Sequence, residues 1–135
     1  MNTYTKKELA EILIKHSLFI ETDGAEGVRA NFYGATLTNA NLMGATLTNA
    51  NLMGANLTNA NLTNANLTNA YLCGANFYGA TLTNANLMGA DLSLANFYGA
   101  TLTNANLMGA DVDGIVISPE QRDDLLEALN IEVKE

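Results

Sequence analysis

The chain has 135 residues and a formal net charge of -8, which fits one domain. Residues 30 to 114 contain no Lys or Arg, so a basic nucleic-acid footprint is excluded and no direct nucleic-acid binding is expected. The single cysteine, Cys73, excludes an internal disulfide and suits a reducing compartment.

The first residues read as a helix rather than as a leader. Thr5-Lys6-Lys7-Glu8 has the spacing of a capping box, in which a hydroxyl and a carboxylate satisfy each other's backbone donors. It predicts a short helix with Leu9, Ile12, Leu13 and His16 on one stripe. Leu18, Phe19 and Ile20 then lead through Asp23-Gly24 into the next region, so residues 1–29 form an expected N-terminal helical cap. There is no apolar run with a cleavage site and no stretch apolar enough to span a bilayer. A cytoplasmic protein with no membrane partner is expected.

From Ala30 to Ala110 every fifth residue is alanine. Two places after each comes Leu or Phe, with Val112 at the last step. In a strand every second residue shares a face, so each alanine and the following Leu or Phe point inward together. The residue between them is Asn, Thr or Asp, with Tyr71 as the exception, and is expected to point to solvent. Phe32, Leu52, Leu67, Leu72, Phe77, Leu87, Phe97 and Leu107 belong to the expected core ladder.

The two-residue alternation resets after five residues, so the chain turns a corner in every unit. The second residue after each centre is Gly, as at Gly34 and Gly79, or Asn, as at Asn64 and Asn84. These residues tolerate the positive φ of a type II turn. Leu94 alone breaks the rule, and the Ser93-Leu94 corner is expected to use a different turn because leucine is sterically penalised there.

Alanine, then Asn/Asp/Thr, then Leu/Phe, then two variable residues, repeated through 17 contiguous units, resembles the pentapeptide repeat family. The resemblance implies an all-β solenoid: a right-handed, four-sided (quadrilateral) parallel β-helix with one unit per side. The sequence supports four sides by itself, because the run from Asn76 to Asn84 recurs 20 residues later from Asn96 to Asn104. Residues 30–114 then make about four coils, roughly 20 Å long at ~4.8 Å per coil.

Ser118-Pro119-Glu120-Gln121 repeats the helix-start logic, with proline at the first helical position. Leu125, Leu126 and Leu129 supply the apolar stripe, and Ile131 and Val133 alternate with charges as a short edge segment would. Residues 115–135 are the expected C-terminal helical cap. An apolar surface around Ile115, Ile117 and the last helix would support a homodimer through this end.

No catalytic constellation is present, and neither a cofactor nor a metal site is expected. The one histidine, His16, reads as a partly buried cap residue, and Cys73 at a corner has no histidine to activate it. Asp91 and Asp111 stack one coil apart with Asp113 beside them, an acidic patch that reads as gatekeeping at the end of a flat sheet. Tyr78 and Tyr98 stack, as do Met88 and Met108, which makes these four the candidate partner surface. Asn56, Asn61 and Asn66 begin Asn-Leu-Thr triplets that match glycosylation acceptors but also follow from the repeat.

The leading expectation is a non-enzymatic, rigid scaffold for an unidentified protein partner. The family resemblance adds imitation of duplex DNA toward a type II topoisomerase, a role that demands dense negative charge along the rod. Two further readings are ice binding by Thr81, Thr83, Thr101 and Thr103, and an engineered consensus-like repeat with no biological role.

Overall fold

A computed structural model of the protein describes residues 3–132. It begins with helix α1, Lys6–Glu21. The capping box is formed: Glu8 N–H donates to Thr5 Oγ1 at 3.1 Å, and Thr5 N–H donates to Glu8 Oε2 at 2.8 Å. The helix is longer than its stripe predicts, because Leu18, Phe19 and Ile20 continue it instead of leaving it. It stops where Gly24, at φ +83°, donates its N–H back to Phe19 O at 2.8 Å.

The repeat then winds with a 20-residue period. Parallel bridges join Asn31 to Asn51, Thr36 to Asn56, Asn41 to Asn61 and Thr46 to Asn66, and so on down four sides. The ladder reaches Asp111 on the first side and Val116 on the second. Each bridge stands alone, so the sides hold no continuous strand. The reason is the repeat itself: a five-residue unit uses two residues for the corner and leaves too few extended residues between corners.

One rule describes the coil-to-coil bonding. Leu62 N–H donates to Thr81 O at 2.7 Å, and Thr81 N–H donates back to Ala60 O at 2.9 Å. A centre thus bonds 19 residues ahead, and an inward alanine's carbonyl accepts from 21 residues ahead. The corner residue follows the same step, as in Asn64 N–H to Thr83 O at 3.0 Å, and the turn closes through Ala65 N–H to Leu62 O at 3.0 Å. Positive φ falls only on the third residue of each turn, which is the type II pattern. The Ser93-Leu94 corner is no exception. Leu94 takes φ +61° and Ala95 N–H still bonds Leu92 O at 3.0 Å, so the stacked coils impose the common turn on a residue that disfavours it.

The interior is solid. Leu62, Leu67, Phe77, Phe97 and their ladder neighbours are fully buried, with alanines such as Ala60 and Ala80 between them. Phe77 and Phe97 stack with centroids 4.7 Å apart, one coil above the other.

The between-residue does more than face water. Asn66 Oδ1 accepts the N–H of Thr68 at 3.0 Å and its hydroxyl at 2.6 Å. Asn76, Asn86 and Asn96 likewise accept the N–H two residues on. These are Asx turns, which tie the side chain to a corner donor that the coil does not otherwise bond. The three Asn-Leu-Thr triplets use both side chains in this way.

After Ile117 the chain makes a 3-10 turn, Pro119–Gln121, and helix α2, Arg122–Ala128. Ile115 and Ile117 are partly buried and pack against the core. Ile131 is in no strand, and Val133 lies outside the described residues.

Candidate interaction surface

A filled interior leaves only the outside and the two ends to do chemistry. The 20-residue register sorts the outer residues into four corner columns. Tyr33, Met53, Cys73, Ser93 and Asp113 run down the corner between the first and second sides. Thr38, Thr58, Tyr78 and Tyr98 follow the next corner. Met43, Thr63, Thr83 and Thr103 follow the third. Thr48, Thr68, Met88 and Met108 follow the fourth.

This sorting separates residues that the sequence grouped together. Tyr78 and Tyr98 stack at 6.0 Å with rings nearly parallel, each about half exposed. Met88 and Met108 are 41% and 45% exposed, on the diagonally opposite corner. A flat partner meets one pair or the other. The structure adds the acidic residues to the methionine side, because Asp91 and Asp111 lie on the first side next to that corner. Asp113 is at that side's far corner.

The carboxylates are partly committed. Asp91 Oδ1 accepts the N–H of Ser93 at 3.1 Å and its hydroxyl at 2.6 Å, and Asp111 Oδ1 accepts the N–H of Asp113 at 3.0 Å. They take the Asx role of asparagine. Among the described residues no three His, Cys, Asp or Glu side chains are grouped to hold a metal ion. The threonines make two adjacent columns, Thr81 above Thr101 on the side and Thr63, Thr83 and Thr103 at the corner, and Asn61 and Met43 end them.

The ends hold two residues that sequence reasoning undervalued. His16 is not partly but fully buried. Its Nδ1 accepts the Ala30 N–H at 2.9 Å, which leaves the ring proton on Nε2 to donate to Thr48 O at 2.8 Å. By the 19-residue rule, Thr48 O would be served by the N–H of residue 29 in a preceding coil, and His16 substitutes for it. Burial pushes the imidazole pKa down; the Thr48 carbonyl opposes that, and the Arg29 charge adds to it. Arg29 itself donates from Nε to Asn49 O at 2.6 Å and lies 4.7 Å from the Tyr71 ring centroid.

Gln121 does the same at the other end. Ala100 O should accept from position 121 by the 21-residue rule, and it does, but from the Gln121 side-chain Nε2 at 2.7 Å. The same amide nitrogen reaches Phe97 O, while its oxygen accepts the Ser118 N–H at 2.6 Å.

The pentapeptide repeats family model matches residues 23–49, 50–89 and 75–114, in 8 copies. The chain belongs to the pentapeptide repeat family. Membership implies a right-handed, quadrilateral winding, and the 20-residue register agrees with the four sides. Among solved structures, the chain is similar to a pentapeptide repeat protein of the cyanobacterium Cyanothece 51142. They share 43% identity over 72% of this chain and 65% of that one, with a TM-score of 0.65. The chain therefore spans 65% of the length of that relative. A pentapeptide repeat protein of the Arabidopsis thaliana thylakoid lumen is 33% identical over 72% of this chain and 78% of its own, at a TM-score of 0.59. One from Nostoc Pcc 7120 is 31% identical over 76% of this chain and 94% of its own, at 0.61. A search of curated proteins gave no match. No helix among the described residues is long and apolar enough to cross a membrane.

Proposed function

We propose that the chain is a non-enzymatic pentapeptide repeat protein that works as a rigid scaffold for a protein partner, in a reducing, cytoplasmic setting. One observation carries the reading: among the large apolar side chains left exposed on the coils, Tyr78 with Tyr98 and Met88 with Met108 pair up in two corner columns, whereas every centre from Phe32 to Leu107 is buried. Stacked exposed apolar residues on an inflexible rod are what a docking partner can read. Helices α1 and α2 close the two open edges in this reading and keep the rod from pairing end to end.

Imitation of duplex DNA finds less support, because the sides from 30 to 114 carry only Asp91, Asp111 and Asp113. Site-specific photocrosslinking separates these readings. A crosslinker at Tyr98 or at Met108 should capture one discrete protein from only one of the two corners. Equal capture from both corners and from Thr63 would refute a specific surface. Inhibition of gyrase supercoiling by the purified chain would instead favour the DNA-mimic role.

A further inference from the structure

We infer that His16 makes helix α1 an acid-released lid on the first coil, so that mild acidification opens this end while the rest of the rod stays wound. The geometry sets one protonation state. Ala30 N–H points at Nδ1, so that nitrogen must keep its lone pair, and the ring proton must sit on Nε2 to serve Thr48 O. Adding a second proton places N–H against N–H at Ala30. It removes the hydrogen bond between the helix and the start of the first coil, inside a fully buried site closed to bulk solvent.

The charges around the ring act in the same direction. The first coil, residues 30–50, contributes no Asp, Glu, Lys or Arg, and Tyr33 is its only titratable side chain. The linker contributes Asp23 and Glu26, both exposed, and Arg29, whose positive charge bears on the ring. On α1 itself the neighbouring Lys15 and Glu21 are exposed, and Phe19 stacks on the imidazole with centroids 6.3 Å apart. Among the described residues no carboxylate contacts the ring to receive an imidazolium.

The neutral ring is favoured in the closed state, so the opened state binds more protons. Closure is therefore complete above the ordinary histidine pKa of about 6.5 and is lost as pH falls through the lower value of the buried ring. The change in the opening equilibrium is about tenfold for each pH unit separating those two values. The opening is local because the coils below bond to each other and not to α1. It uncovers Tyr4, Leu9, Ile12 and Leu13 and the core they pack against.

The test is amide hydrogen exchange on the intact chain at pH 7.5 and pH 5, corrected for intrinsic rates, with the His16 ring titrated by NMR. Protection at Ala30 and along α1 should fall in step with the ring titration, by about tenfold for each pH unit by which that titration lies below the ordinary histidine value, while Leu67 and Leu87 stay protected. His16→Gln keeps an amide donor for Thr48 O and cannot titrate, so it should remove the pH dependence. Arg29→Gln should move the ring titration upward in pH. Unchanged α1 protection across the His16 titration would overturn the inference. So would loss of protection at Leu67 together with α1, or the same pH dependence in a folded His16→Gln variant. If His16→Gln does not fold, the wild-type titration and Arg29→Gln decide alone.

Discussion

Replacing Leu94 by asparagine should stabilise the protein, although it removes a large apolar side chain. Leu94 holds φ +61°, the value at which the corner asparagines sit, between 57° and 62°. A left-handed conformation costs an L-residue with a bulky side chain about 1–2 kcal/mol, and asparagine tolerates it. The loss to set against this is packing. Leu94 is 68% exposed, and its Cδ2 lies 2.8 Å from the place a Cβ would take on Gly114. With about a third of the side chain covered, its burial is worth about 0.5–1 kcal/mol on a scale of about 1.5–3 for full burial. Strain relief exceeds lost packing at the midpoints of the two ranges, by about 0.75 kcal/mol. In a chain of this length that is a rise of about 2–4 °C in Tm. Urea and thermal denaturation of Leu94→Asn beside wild type measure it directly. A loss of stability beyond about 1 kcal/mol would show that Leu94 is held by packing over Gly114 and that the corner is not strained.

Other perturbations follow from the same accounting. Leu67→Ala empties a fully buried site midway down the rod and should cost about 2–5 kcal/mol by urea denaturation. Ala60→Leu overfills the interior and should lower Tm more than Thr63→Leu, whose side chain lies on an outer corner; equal effects would refute the inside and outside assignment. Gln121→Leu leaves Ala100 O and Phe97 O without the amide that serves them and should cost about 1–3 kcal/mol. Its loss of protection should be confined to the last coil.

The five-residue period carried most of the fold in plain view. Alanine and leucine spacing identified the inside, and Gly or Asn identified the corners, down to the left-handed backbone at Asn64 and Gly79. Leu94 was misread because local preference was taken to decide a turn that two neighbouring coils fix. The side chains of Asn66 and its equivalents were read as solvated because period two says only which way a residue points, not what it then bonds. His16 and Gln121 were visible as helix residues, but their roles depend on which coil carbonyl lacks a partner. That can be counted once the 19- and 21-residue bonding steps are known: Ala100 plus 21 is position 121. The Tyr and Met pairs were found by their spacing, and their placement on opposite corners follows from the ten residues, half a coil, between Tyr78 and Met88.

The most direct test of the account is which corner a partner touches. The measurement is partner capture by photocrosslinking from Tyr98 and from Met108, repeated with Tyr78→Ser/Tyr98→Ser and Met88→Ser/Met108→Ser chains of unchanged Tm. The account predicts one discrete partner, lost with one pair of substitutions and retained with the diagonal pair. Capture that survives both pairs, or that vanishes equally with either, would contradict a rod that presents its partner with a single stacked corner.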